Sequence, residues 1–360
     1  MAPNSVGSSA AATSYDLVLA PNAGPAGAPV QVQGYVGDEG MFNPQVGVTV
    51  TIYVDPAGTL ARRAVATAVT DDEGWFATTL QPRTSGTYEV LVVGGGEVRG
   101  VNTREFTVRP TSQTIRSAVT SASKNGYTAK MRVVTQDVVT GVEPQTVYLD
   151  FGIMVPGTHH NLYDIPYLNN RRAEGRYGVG EFHAGGTAKW STAYNGVRTL
   201  RMSAVHPAGL YDVYYDGWIG VYQDQWDSDG DGVRATQEII RMSRKPITTI
   251  RVRRASTTTV AASSTSFTGS RNIELRGSVR KVQLINFREA ANRLAPNTAV
   301  KLYFDPAGSA GPVYNKTVHT NSKGAYRTTV RTSRSGTWIA KYEGTSLQAP
   351  SKRSVTITVR

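Results

Sequence analysis

The chain has 360 residues, no cysteine, and 39 Lys and Arg against 27 Asp and Glu, for a formal net charge of +12. At about 100–150 residues per domain, two or three domains are expected, each long enough to bury its own core. Without cysteine, disulfide scaffolds, thiolate metal sites and cysteine nucleophiles are excluded, and with 18% charged residues the chain is neither an acidic disordered tail nor a coiled coil.

Residues 1–13 read as a flexible N-terminus. Residues 1–15 contain no basic segment followed by an apolar one, and Ala2-Pro3-Asn4-Ser5 fits the start of a mature exported protein. No stretch reaches the roughly 18–20 consecutive apolar residues that cross a bilayer, so no membrane span is expected. The first domain is expected at 14–110. Runs such as Val48-Thr49-Val50-Thr51-Ile52-Tyr53 alternate with period two, and Gly, Pro, Asn or Asp interrupts them about every ten residues, as short strands require. Thr70-Asp71-Asp72-Glu73-Gly74-Trp75 reads as a hairpin turn, with Gly74 taking the positive φ.

The second domain, 111–253, diverges. Thr146-Val147-Tyr148-Leu149-Asp150-Phe151 is aligned with the strand around Tyr53, and Gly209-Leu210-Tyr211-Asp212-Val213-Tyr214 echoes Gly86-Thr87-Tyr88-Glu89-Val90-Leu91. Residues 152–190 have no counterpart and read as an insertion. Its Tyr163, Tyr167, Arg171, Arg172, Arg176 and Tyr177 set aromatic rings beside guanidinium groups, which suits a glycan or an acidic ligand; the same rings equally serve to pack the insertion onto its own sheet.

The most specific chemistry lies at 227–238. A twelve-residue loop binds Ca²⁺ through oxygens at positions 1, 3, 5, 7, 9 and 12, with Gly at 6 for the sharp turn. Asp227, Asp229 and Asp231 stand at 1, 3 and 5, Gly232 at 6, the Val233 carbonyl at 7, and Glu238 at 12. Carboxylates this close repel one another unless a cation neutralises them. Arg234 replaces the apolar residue that pairs two EF-hand loops, and 211–226 is strand-like instead of an entering helix, although a short helix is expected over 235–242. The loop resembles the isolated Asp-x-Asp-x-Asp-Gly calcium loops of extracellular modules, of thrombospondin-type-3 or EF-hand-like kind, and the resemblance implies a structural Ca²⁺.

Four of the five histidines, His159, His160, His183 and His206, fall in this domain without a metal-binding spacing such as H-E-x-x-H. Asp212, Asp216 and Asp224 lie in a tyrosine-rich strand region. No nucleophile elbow, P-loop or dinucleotide fingerprint occurs, so no enzymatic activity is expected.

The third domain, 254–360, repeats the first. Tyr53-Val54-Asp55-Pro56-Ala57-Gly58 returns as Tyr303-Phe304-Asp305-Pro306-Ala307-Gly308, and the offset of 250 continues without a gap through Ser85-Gly86-Thr87 and Ser335-Gly336-Thr337. Between 50 and 92 there are 14 identities, which marks a duplicated domain. Thr320-Asn321-Ser322-Lys323-Gly324-Ala325 is the second copy of the expected hairpin turn. Charge is uneven: residues 251–360 hold 19 Lys and Arg against 4 Asp and Glu, whereas residues 1–250 hold 20 against 23. Such a polycationic domain attracts anionic polymers or an acidic partner surface in a salt-dependent way. No recognition helix, zinc finger or RNA-binding aromatic strand accompanies it, so a specific nucleic-acid partner is not expected.

With Asn272-Ile273-Glu274-Leu275-Arg276-Gly277, the repeated Tyr303-to-Gly308 segment and Gly336-Thr337-Trp338, the third domain resembles the immunoglobulin-like β-sandwich repeats of exported actinobacterial proteins. The first domain shares that resemblance through the internal repeat, the middle one only in its strands. The expected fold is all-β: three tandem immunoglobulin-like β-sandwich domains, the middle one with an insertion and a calcium loop. The resemblance implies a non-enzymatic secreted or cell-surface protein built of binding or spacer modules; the basic third domain adds the expectation of an anionic cell-wall polymer such as teichoic acid, a glycan or a protein as partner. Two alternatives stand beside it: a tail or decoration protein of an actinobacterial phage virion, hence an assembly component, and a carbohydrate-binding adhesin.

Overall fold

The computed structural model describes residues 13–38, 44–72, 74–92, 104–109, 111–124, 127–154, 159–162, 166–170, 193–215, 218–222, 237–241, 245–286, 289–308 and 311–360. Every regular element among them is a β-strand, as the period-two alternation requires. The fold is all-β, a tandem of immunoglobulin-like sandwiches.

The first unit comprises β1 (Thr13–Ala20), β2 (Ala23–Pro25), β3 (Val30–Asp38), β4 (Thr49–Pro56), β5 (Arg63–Val69), β6 (Trp75–Leu80), β7 (Gly86–Val92) and β8 (Arg104–Arg109). Sheets β1-β3-β6 and β2-β8-β7-β4-β5 enclose a core that includes Leu17, Val32, Ile52, Phe76 and Phe106.

The middle unit comprises β9 (Ile115–Lys124), β10 (Tyr127–Gln136), β11 (Val138–Thr140), β12 (Gln145–Met154), β13 (His159–Leu162), β14 (Pro166–Asn170), β15 (Ala193–Met202), β16 (Gly209–Tyr215), β17 (Trp218–Tyr222), β18 (Gln237–Arg241) and β19 (Thr248–Arg254). Its sheets are β15-β12-β10-β9, β11-β19-β16-β14 and a small β13-β17-β18. Met131, Phe151, Tyr211 and Val252 are fully buried in its core.

The third unit comprises β20 (Ser256–Thr258), β21 (Ala261–Ala262), β22 (Ser266–Phe267), β23 (Arg271–Asn286), β24 (Glu289–Leu294), β25 (Ala299–Pro306), β26 (Val313–His319), β27 (Ala325–Thr332), β28 (Gly336–Tyr342) and β29 (Ser351–Val359). One sheet is built on β23, flanked by β20, β21, β24 and β27; the other runs β22-β29-β28-β25-β26.

The duplication holds at atomic detail. The β4–β5 and β25–β26 ladders each slip by one residue at the repeated tyrosine: Ile52 and Tyr53 pair with Ala66 and Ala64, and Leu302 and Tyr303 with Lys316 and Tyr314, so the extra residue is Val65 on β5 and Asn315 on β26. The Thr70 hydroxyl donates to the Gln45 carbonyl at 2.5 Å and accepts from the Val48 amide at 2.9 Å. Thr320 does the same with Ala295 and Thr298 at 2.6 and 2.8 Å, every partner displaced by 250. All three units share one further device, a short strand running parallel to the closing strand: β2 with β8, β11 with β19, and β22 with β29.

Three expectations are corrected. The Thr70–Trp75 and Thr320–Ala325 turns are not hairpins: β5 pairs with β4 while β6 pairs with β3, and β26 pairs with β25 while β27 pairs with β23. Each turn carries the chain from one sheet to the other, with Gly74 at φ 79° and Gly324 at φ 67°, and with Asp71 Oδ1 or Asn321 Oδ1 accepting from the amide four residues on. Second, the Thr146-to-Phe151 strand is not the counterpart of the Tyr53 strand. β12 pairs with β10 and β15, the place of β3, whereas β14, inside the expected insertion, pairs with β16 as β4 pairs with β7. Third, of residues 235–242, expected to turn helical after the expected calcium loop, 237–241 form β18, because pairing with β17 satisfies their backbone groups instead.

Successive units are tightly joined. A Cβ at Gly152 of β12 would overlap Ala20 of β1, so only glycine lets the first two units approach this closely. Beside it, Arg109 donates to Asp150 Oδ1 at 2.5 Å and lies 4.4 Å from the Tyr148 ring centre. The Asp150 side chain is 1% exposed and its Oδ2 lacks a partner. Burial pushes its carboxyl up to about 6, and the Arg109 charge and hydrogen bond offset this only in part. An acid that titrates higher in the fold than in the unfolded chain stabilises the protonated fold, and that contribution is lost as pH rises through the folded value. Thermal unfolding of the native chain and of Asp150→Asn, compared from pH 7 to pH 4, is therefore expected to shift in favour of the native chain by roughly 2 kcal/mol as pH falls; a pH-independent difference would contradict the assignment.

Candidate binding surfaces

Two segments singled out in the sequence converge at one end of the middle sandwich. β13, from the expected insertion, pairs with β17, and β17 pairs with β18. This places the connection between β12 and β14 beside the connection between β16 and β19, the loop cluster that immunoglobulin sandwiches present at one end. Tyr222 pairs with Gln237, so the chain carrying the aspartates leaves and re-enters a single closed hairpin.

Of the predicted calcium ligands, Glu238 lies in β18 opposite Val221; Asp227, Asp229, Asp231 and Val233 lie outside the described residues. Of the predicted ligand platform, Tyr167 lies in β14 opposite Tyr214, while Tyr163, Arg171, Arg172, Arg176 and Tyr177 lie outside the described residues.

Other polar groups of this unit serve the fold. The Thr249 hydroxyl donates to the buried Asp212 carboxylate at 2.7 Å. His206 Nδ1 accepts from the Ser203 amide at 3.1 Å. Arg116 makes a bidentate pair with Asp137 at 2.8 Å through both oxygens, and the Arg251 amide adds a third hydrogen bond. Burial would raise the Asp137 carboxyl, but these bonds and the charges of Arg116 and Arg251 outweigh it and hold the carboxyl below its ordinary value. The Tyr211 hydroxyl donates to the Pro207 carbonyl at 2.7 Å, the aromatic corner typical of this fold class.

The second surface is on the third unit. In β23, Ile273, Leu275 and Val279 point into the core, so alternation turns Glu274, Arg276, Ser278 and Arg280 outward. The β23–β27 register sets Arg276 directly opposite Arg327, and Asn272 opposite Arg331. Like charges directly opposite one another destabilise a sheet. One carboxylate of this face, Glu274, approaches Arg327 at 3.4 Å, where the arginine side chain is 70% exposed; an exposed pair of that kind contributes little. Arg331 donates to the Ser270 hydroxyl at 3.0 Å.

Arg276 and Arg327 both line an open groove of about 630 Å³, with Thr259, Ser278, Asn321 and Tyr326 among others. Its floor is fixed by the Tyr326 hydroxyl, which donates to the Thr259 carbonyl at 2.6 Å across the strand; burial raises the phenol's pKa. The expected polycationic domain thus has a specific cationic face. Its opposed arginines, 51 positions apart, were not identifiable individually, because only strand register brings them together.

No protein-family model and no curated protein matches the chain. Among solved structures it is similar to the three N-terminal domains of the bacteriophage RB49 highly immunogenic outer capsid protein Hoc, at 12% identity and a TM-score of 0.20 over 97% of this chain and 99% of that one. It is similar also to the Escherichia coli adhesin FdeC, at 16% identity and TM-score 0.22 over 98% of both chains. Domains A168–A170 of titin give 12% identity and TM-score 0.20 over 98% and 100%. Overlap at this level carries no functional assignment.

Gly277 makes the arginine groove possible. A Cβ there would strike the Thr259 carbonyl and stand 2.5 Å from the Tyr326 hydroxyl. Gly277→Ala is expected to destabilise the chain by about 1–3 kcal/mol, the usual cost of overpacking a closed site, measured by denaturant titration; Gly141→Ala, where the nearest atom to a Cβ is 3.7 Å away and the backbone is not left-handed, serves as the comparison.

Proposed function

We propose that the chain is a non-catalytic surface protein, acting outside a cell or on a virion, that attaches to an anionic polymer through the third sandwich and presents a calcium-stabilised loop cluster on the middle one. The observation that carries the attachment is the outward face of β23 and β27, where Arg276 and Arg327 oppose each other over an open groove. A sheet tolerates such a pair at a cost that a bound polyanion removes. An extended polymer with repeating negative groups fits an open face with several guanidinium groups better than a small molecule does, since Arg forks around phosphate or sulfate oxygens.

Retention of the full chain on heparin or on teichoic acid should fall steeply with salt, as screening predicts. The double variant Arg276→Glu, Arg327→Glu should weaken binding by roughly tenfold or more at low salt without unfolding the chain. Salt-independent binding, or unchanged affinity of the variant, would remove this face from the function.

The calcium reading rests on the spacing of Asp227, Asp229, Asp231 and Glu238, supported by the paired strands that close the loop at Tyr222 and Gln237. Ca²⁺ there would hold the hairpin arm against β13, and binding to the folded state alone raises stability. Chelation is expected to lower the unfolding midpoint of the native chain and to leave that of Asp229→Ala unchanged. A midpoint indifferent to chelator and to added Ca²⁺ would leave an ordinary turn.

A further inference from the structure

We propose that the cleft between the middle and third sandwiches is a second, separate site that holds one tetrahedral oxyanion, a phosphate or sulfate group, between Arg253, Lys341 and Lys352. The cleft measures about 570 Å³; the middle unit lines it with Gln113, Thr114 and Arg253, the third with Ser256, Lys341 and Lys352 among others. No carboxylate is among its lining residues.

The lysines are placed by register. The β28–β29 ladder sets Lys341 directly opposite Lys352, and the β25–β28 ladder sets Lys301 opposite Lys341. Three ammonium groups therefore stand in a row on the outer face of one sheet, an arrangement that repels itself. Glu343 neutralises one end, 3.0 Å from Lys341 and 3.5 Å from Lys301, and the hydrogen bond from Lys341 holds its carboxyl below its ordinary value. Lys352, at the other end, has no ion pair among the described residues.

Across the cleft, Arg253 Nε is buried without a hydrogen-bond partner. A buried donor left unsatisfied costs more than an ordinary hydrogen bond gains, and a guanidinium fork is matched by two oxygens of a phosphate or sulfate. One oxyanion between the three cations would satisfy that donor and relieve the lysine repulsion. Because Arg253 belongs to one sandwich and both lysines to the next, the same anion would brace the joint. The site does not depend on the arginine face, which lies on the other sheet.

The test uses the full chain. Its unfolding midpoint and calorimetric binding are followed against inorganic phosphate, inorganic sulfate and a short poly(glycerol phosphate), with chloride holding ionic strength constant. A saturable rise over chloride is expected, with Lys352→Gln weakening phosphate binding about tenfold and Arg293→Gln, an exposed cation of β24 on neither surface, leaving it unchanged. Arg253→Gln should do the same as Lys352→Gln; if it fails to fold, the exposed Lys352 variant decides alone. In the Arg276→Glu, Arg327→Glu background, which removes the open face, tighter binding of poly(glycerol phosphate) than of inorganic phosphate assigns the group to a polymer, and the reverse order assigns it to a free ion, and both support the site. No saturable effect beyond chloride, or native-like binding by Lys352→Gln, overturns it.

Discussion

Ala255 alone separates β19 of the middle sandwich from β20 of the third, and both of its backbone groups are committed. Its amide donates to Thr140 of the middle unit at 2.8 Å, and its carbonyl accepts from Val282 of the third at 2.9 Å. On one side, the Arg254 amide donates to Leu347 and the Ala349 amide returns to the Arg254 carbonyl. Buried backbone groups must find partners, and here those partners lie in different sandwiches. A flexible linker would leave such amides to water and let the units swing. This joint instead fixes residues 112–114 and 253 against β28 and β29, and so defines the cleft between them.

The joint between the first and middle units relies on different physics. It is made by side-chain volume and charge: glycine at 152 to admit Ala20, and an arginine set against a carboxylate that is almost wholly removed from water. A buried ion pair is weak evidence of stability, since removing the charges from solvent offsets much of their attraction. The raised titration of Asp150 expresses that balance. One joint is thus set by backbone hydrogen bonds that hardly respond to pH, the other by a carboxylate whose protonation alters its energy within the mildly acidic range.

The duplication was legible in sequence because turn residues and buried hydroxyls are dictated by local backbone geometry. Thr70 and Thr320 each tie a turn to a strand 22 residues away, and a substitution would strand two backbone partners. The destination of the chain beyond each turn was not legible. Asp71 and Gly74 specify a reversal, but whether the next strand joins the same sheet depends on the competing partners β3 and β23, which are remote in sequence. The same limit explains the middle unit: β12 resembles the Tyr53 strand in its alternation, yet pairing assigns it the place of β3. In β18 a Glu-Ile-Ile run fits helix or strand equally, and pairing with β17 decides for the strand. The Asp-x-Asp-x-Asp-Gly spacing is plain from residue types alone, whereas Arg276 with Arg327, or Arg253 with Lys352, meet only through register or through the joint.

Both outer faces of the third sandwich are cationic, yet the geometry gives them different capacities. Inward positions are taken by Leu275, Val279, Leu302 and Trp338, so alternation sends charged residues outward on both sheets, about 10 Å apart at their cores. The β23–β27 face is open along its length and can follow an extended chain of negative groups. The lysine row on β25, β28 and β29 meets the middle sandwich at one end, where Arg253 closes it into a cleft of limited volume. A single straight polymer cannot lie on both faces at once. Attachment along the open face and capture of one anionic group at the joint are therefore separable events, and only the second senses how the two sandwiches are held together.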